Sequence, residues 1–77
     1  MNLSEIFYKN TKIERKVVYQ QNSMVEELYT DDEILYCVTY YSNDKKVMSE
    51  YYRPNKTLQV TLHFDPYGEV LLKEEPN

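Results

Sequence analysis

The sequence predicts an α+β fold in which two short helices pack against an antiparallel β-sheet of about five strands, mostly a meander. Three observations support this prediction: an apolar group near the amino terminus at helical spacing, a second apolar group preceded by the spacing of a helix cap, and alternation of apolar and polar residues in the second half. A chain of 77 residues is one small domain with a thin core, here residues 1–77.

The first predicted element is a short amphipathic helix near the amino terminus. Asn2 or Ser4 can cap this helix, and Glu5 is favourable in its first turn. A basic cluster then leads into a segment rich in β-branched and aromatic residues, which predicts a strand near residues 16–20.

A second short helix is predicted from Ser23 to about Thr30. Ser23 and Glu26 have the spacing of a capping box, in which a serine and a glutamate satisfy each other's free amide groups. Val25 and Leu28 follow at near-helical intervals, so the segment has an apolar side.

Four strands are expected after this helix, joined by hairpins. The predicted segments are residues 34–41, 47–52, 58–65 and 69–73. The third is the clearest, because its alternating residues are apolar, and Pro66 and Gly68 mark the turn that follows it. No internal repeat is predicted.

Charge and hydropathy exclude several classes of protein. The formal net charge is −4 and the isoelectric point is about 4.9, which disfavours direct binding to the phosphate backbone of a nucleic acid. No apolar run approaches the roughly 20 residues that cross a bilayer, and no export leader opens the chain. We therefore expect no membrane insertion and a cytoplasmic location.

Residue types that carry catalysis are sparse. His63 is the only histidine and Cys37 the only cysteine, so a zinc site would need carboxylates for most of its ligands. No third group stands out that would orient a Cys–His pair, and the only glycine, Gly68, leaves no phosphate-binding loop. We expect no enzyme, no metal and no cofactor, with Cys37 in or near the core and His63 on an exposed strand face.

The order of several short motifs is similar to that of one known family. The motifs NLSEIFYKNTK at residues 2–12, then VVYQQN, VEELYT, EILYCVTYY and KKVM, resemble the small phage inhibitors of uracil-DNA glycosylase. The resemblance implies an acidic DNA mimic that occupies the enzyme's DNA-binding groove in a 1:1 complex. It also implies an apolar pocket between helix and sheet that takes up the leucine of the enzyme's intercalation loop, and the host cell cytoplasm as the location if a phage encodes the chain.

The resemblance, with the acidic cluster beside it, also suggests the contact residues. The polar and acidic partner-binding residues are Gln20, Gln21, Asn22, Ser23, Glu26, Glu27, Asp31 and Asp32. The apolar and aromatic pocket residues are Met24, Val25, Leu28, Tyr29, Tyr36 and Met48. Gln21 departs from the family, because it stands in place of a glutamate and carries no charge.

Two other functions remain open. A small acidic adaptor or immunity-like protein can bind another basic protein through the same acidic and tyrosine-rich surface. A homo-oligomer can instead pair through the edge of a sheet. The ordinary structural interpretation of the acidic cluster is a solvated surface.

Overall fold

The computed structural model describes residues 3–76, which form seven β-strands in one antiparallel sheet. The strands are β1 (Leu3–Lys9), β2 (Lys12–Tyr19), β3 (Ser23–Tyr29), β4 (Leu35–Ser42), β5 (Lys45–Tyr52), β6 (Leu58–Phe64) and β7 (Val70–Glu74). They lie across the sheet in chain order, and within this range each strand pairs with its sequence neighbours alone. The architecture is an all-β meander.

The prediction of an α+β fold with two helices and about five strands is wrong. Residues 3–76 contain no helix, and hence none long and apolar enough to cross a membrane. The predicted first helix is strand β1, and Asn2, one candidate for its cap, lies outside the described residues. The predicted second helix is strand β3.

The alternation of side chains along β3 explains why the helical prediction failed. Glu26 shares one face of the sheet with Val17, whereas Val25 lies on the other face beside Tyr40. Each face of β3 carries both apolar residues and a glutamate. The sequence of β3 therefore does not show the alternation of apolar and polar residues that usually marks a strand. Cross-strand pairing therefore overrides the helix propensity of the glutamates and the leucine.

The turns between strands use backbone conformations that few residues favour. Positive φ angles occur at both central residues of the β1–β2 and β4–β5 turns, Asn10–Thr11 and Asn43–Asp44, as in type I′ hairpins. Three-residue loops join β3 to β4, β5 to β6 and β6 to β7, and their third residues, Glu33, Lys56 and Gly68, also have positive φ. Only one of these seven positions is a glycine.

An aromatic residue precedes each turn at intervals of 10–12 residues. These residues are Tyr8, Tyr19, Tyr29, Tyr41, Tyr52 and Phe64, and each pairs with a residue of the next strand. All but one of the partners are apolar. Residues 3–76 are therefore a run of hairpins with an aromatic residue before each turn.

The tightest packing lies at the centre of one side of the sheet, which we call face A. Four of its residues are between 0% and 5% exposed: Val17, Cys37, Thr39 and Ser49. Their small side chains lie on β2, β4 and β5, and Glu26 of β3 connects them because it pairs with both Val17 and Thr39. The prediction that Cys37 belongs to the core is confirmed.

Candidate functional site

The structure places the predicted partner-binding residues in separate parts of the sheet. Residues 20–22 connect β2 to β3 and Ser23 begins β3, while Asp31 and Asp32 lie in the β3–β4 turn at the opposite end. Glu26 and Glu27 are neighbours on β3 and therefore point to opposite faces. The eight residues do not form one continuous surface.

The predicted pocket residues are likewise divided between the two faces. Met24 and Leu28 lie on face A; Val25, Tyr29 and Met48 lie on the other side, which we call face B. Tyr36 is the extra residue where the pairing of β3 with β4 shifts by one position. A pocket between helix and sheet does not form within residues 3–76, because that range has no helix.

A compact group that the sequence did not predict as a unit lies on face B. Glu27 and Glu50 are the cross-strand neighbours of Val38, which is 6% exposed. Tyr29 Oη donates a hydrogen bond to Glu27 Oε1 at 3.1 Å, and Tyr40 Oη donates one to Glu50 Oε1 at 2.8 Å. We define the Tyr–Glu cluster as Glu27, Tyr29, Val38, Tyr40, Glu50 and Tyr52.

The tyrosines of the Tyr–Glu cluster hold their protons more tightly than usual. The hydrogen bond to Glu50, together with burial and nearby negative charge, raises the pKa of Tyr40 to about 12. Burial, aided by Glu27 and Glu50 respectively, raises the pKa of Tyr29 and the pKa of Tyr52. At neutral pH all three side chains are therefore neutral hydrogen-bond donors.

Tyrosine hydroxyls, and not cations, are the partners of the two glutamates within the described residues. The ion pairs there are Arg15–Glu26 and Lys73–Glu75, and His63 Nε2 lies within hydrogen-bond distance of Glu74. Lys16 is the cross-strand neighbour of Glu27 but makes no ion pair with it. A carboxylate has about four acceptor positions, so both Glu27 and Glu50 can accept further hydrogen bonds from a basic group.

A groove of about 400 Å³ adjoins the cluster at the end of the sheet that carries the β3–β4 and β5–β6 turns. Its lining residues are Tyr29, Glu33, Ile34, Leu35, Tyr52 and Lys56. Aromatic rings beside carboxylates suit a lysine or arginine, because the apolar stem packs on the rings and the charged head reaches the acceptors. The groove and the Tyr–Glu cluster share Tyr29 and Tyr52.

A second groove, of about 440 Å³, lies at the opposite end of the sheet and contains residues 20–23. Asn43 N donates to Asn22 O at 3.0 Å, which joins the β2–β3 turn to the β4–β5 turn. Asp44 is the only carboxylate among the lining residues of this groove. This part of the predicted contact surface is therefore mainly polar and uncharged.

The cysteine and the histidine do not form a common site. Cys37 is 2% exposed on face A, whereas His63 lies on face B, where its Nε2 is 2.5 Å from Glu74 Oε1. Across residues 3–76, no group of three histidine, cysteine, aspartate or glutamate side chains is placed to hold a metal ion. The Cys–His pair considered from the sequence is separated by the sheet itself.

Comparison of the chain with family models, with curated proteins and with solved structures finds no match. The resemblance to glycosylase inhibitors therefore rests on the motifs quoted above alone. What the fold and the site define is a single-sheet meander with a tyrosine-held pair of carboxylates on one face.

Proposed function

We propose that this chain is a small non-catalytic binding protein that receives a basic side chain of a protein partner. One observation carries the proposal: Glu27 and Glu50 accept hydrogen bonds from tyrosine hydroxyls on one face, beside a groove whose lining includes the rings of Tyr29 and Tyr52. A bound lysine or arginine packs its stem on Tyr29 and Tyr52 and donates hydrogen bonds to the carboxylates.

Charge and groove contribute to different steps of this binding. The net charge of −4 attracts a basic partner and increases the association rate, an effect that weakens as salt screens the charges. Contacts inside the groove act after encounter and govern the dissociation rate. Salt should therefore alter association more than dissociation.

Titration of the ¹⁵N-labelled protein with a capped arginine or lysine tripeptide, followed by NMR, tests the proposal. We expect amide shifts concentrated at Tyr29, Leu35 and Tyr52, and weaker binding by about tenfold in Glu50→Gln, because a charged hydrogen bond is replaced by a neutral one. Glu69→Gln, an exposed carboxylate in the β6–β7 turn, is the matched control and should bind as the wild type does.

A tripeptide with norleucine in place of the basic residue has the apolar stem without the charge. If this peptide caused the same amide shifts as the basic tripeptide, the carboxylates would have no role in binding. Shifts spread evenly over the sheet would remove the groove itself as the binding site.

Uracil-DNA glycosylase is the particular partner that the motif resemblance suggests, and we keep it as a second proposal on that basis. The helix–sheet pocket is not part of it. Suppression of uracil excision at an equimolar ratio would support this partner, and Glu27→Lys should then slow association most at low salt. Undiminished excision would exclude this enzyme as the partner and leave the basic side-chain proposal untouched. A cytoplasmic location remains a prediction for either partner.

A further inference from the structure

Strand β1 is an edge of the sheet with no neighbour on its outer side among the described residues. All of its residues are exposed, and its large apolar and aromatic side chains are between 38% and 64% exposed: Leu3, Ile6, Phe7 and Tyr8. An exposed, apolar edge strand pairs readily with a further strand, because its outer amide and carbonyl groups have no partners in the sheet.

The sequence of β1 is complementary to itself in one antiparallel register. When Phe7 of one copy lies opposite Phe7 of another, Glu5 faces Lys9 and Ile6 faces Tyr8, each of these pairs twice. Opposite charges and apolar–aromatic pairs both stabilise neighbouring antiparallel strands. A two-fold axis normal to the sheet relates the copies and keeps face A on the same side, so the assembly closes as a dimer.

The Phe7 ring at the centre of this register is already held in position. The Arg15 guanidinium lies 4.9 Å from the ring centre, and Arg15 Nε lies 2.5 Å from Glu26 Oε2. A side chain that is ordered before association loses less conformational entropy on pairing.

The other edge strand, β7, is less suited to pairing with a second copy. It is shorter than β1, and two of its charged residues already have partners: Lys73 makes an ion pair with Glu75, and Glu74 lies within hydrogen-bond distance of His63 Nε2. Pro76, which has no amide hydrogen to donate, follows shortly after the strand. By contrast, neither Glu5 nor Lys9 of β1 makes an ion pair within residues 3–76.

We propose that a second copy of this chain pairs with β1 in the Phe7-centred register, which gives a two-fold dimer with one continuous sheet. The Tyr–Glu cluster lies on β3, β4 and β5, away from this edge, so the dimer does not depend on the proposed binding function. The interface is small, and we expect a reversible dimer with a dissociation constant from about 10 µM to 1 mM.

Sedimentation equilibrium of the full chain over this concentration range tests the dimer. Glu5→Lys or Lys9→Glu alone places like charges opposite each other twice, and each should weaken the dimer by about tenfold. The double variant Glu5→Lys/Lys9→Glu restores both pairs and should return the dissociation constant to within about threefold of the wild-type value. Circular dichroism confirms that each variant retains the sheet.

The equivalent charge exchange at the other edge, Glu69→Lys/Lys73→Glu, is the matched control and should leave the dissociation constant of the dimer unchanged. A monomer at every concentration overturns the proposal. So does a dimer that the single β1 variants do not weaken. Growth into longer assemblies that Lys73→Glu prevents would show pairing of β1 with β7, and would also overturn it.

Discussion

Lys56 adopts a backbone conformation that an amino acid with a side chain rarely favours. Its φ angle is 71°, and Glu33 in the equivalent turn has φ 61°, whereas Gly68 fills this role with φ 86°. A Cβ atom added at Gly68 would meet nothing within 4 Å, so backbone strain and not space makes glycine favourable there. Two of the three equivalent turns are therefore strained at one residue.

Replacing Lys56 by glycine should stabilise the fold. We expect Lys56→Gly to raise the free energy of unfolding by about 1 kcal/mol, because the αL strain is removed while the hydrogen bond from residue 56 N to Arg53 O is kept. Thermal unfolding should then shift upward by roughly 4–8 °C. Lys45→Gly in strand β5 is the control and should lower stability. A melting temperature of Lys56→Gly below that of the wild type would contradict the claim that the backbone is strained at Lys56.

The raised pKa of Tyr40 makes stability depend on pH in the alkaline range. Tyr40 loses its proton near pH 10 in the unfolded chain but at a pKa of about 12 in the folded protein. Its stabilisation is therefore complete below about pH 10 and is lost as pH rises towards 12.

The variant Tyr40→Phe should accordingly show a smaller fall in the free energy of unfolding between about pH 10 and pH 12 than the wild type. Urea unfolding at several pH values measures this slope. Tyr67→Phe is the control, because Tyr67 is 90% exposed, and its slope should match that of the wild type. Equal slopes in Tyr40→Phe and wild type would argue against the Tyr40–Glu50 hydrogen bond.

At the scale of elements, a buried hydroxyl pair joins β4 to β5 on face A. Thr39 Oγ1 and Ser49 Oγ are 2.7 Å apart, and Cys37 Sγ lies 3.7 Å from Thr39 Oγ1. Throughout residues 3–76, every buried side-chain nitrogen and oxygen has a hydrogen-bond partner. Removing either hydroxyl alone would leave the other without this partner.

Thr39→Val should lower the free energy of unfolding by about 1–3 kcal/mol, because Ser49 Oγ then loses its partner inside the core. Ser49→Ala should also be destabilising, and the double variant should cost less than the two single variants together. Denaturant unfolding gives all three values. Ser4→Ala on exposed β1 should change stability by less than about 0.5 kcal/mol. Additive losses would show that the hydroxyl pair contributes nothing as a pair.

Some elements could be predicted from local sequence and others could not. The five segments predicted as strands overlap β2, β4, β5, β6 and β7, because alternation and turn residues are visible there. Strands β1 and β3 were interpreted as helices, because capping spacing and helix-forming residues are local signals that pairing overrides. The aromatic residue before each turn was the missed signal, since short strands at regular intervals of about 8–12 residues indicate an all-β fold.

At the scale of the whole molecule, the sheet is a single layer in which each strand depends on its neighbours. The radius of gyration is 13.3 Å, compared with about 11.5 Å for a typical compact domain of this length. The smallest dimension is 19 Å, about half of the other two, 36 and 34 Å. Stability is therefore distributed along the strand order, as in repeat proteins.

We expect native-state hydrogen exchange to follow this order. The amides of β4 and β5, next to the buried Cys37 and Ser49, should exchange slowest, and those of β1 and β7 at the edges should exchange fastest. NMR measures the exchange rate of each amide, at a protein concentration below the dissociation constant of the proposed dimer. Uniform protection across all strands would indicate a single cooperative unit and contradict the one-dimensional description.

Local sequence is enough to predict the hairpin turns of the second half, the acidic net charge and the place of Cys37 in the core. These features depend on residue type and on neighbours close in the chain. Pairing between strands, by contrast, makes β1 and β3 strands and places Glu27 and Glu50 on either side of Val38. The reason is that a seven-residue segment has weak local preferences, whereas the register between strands sets which distant residues share a face.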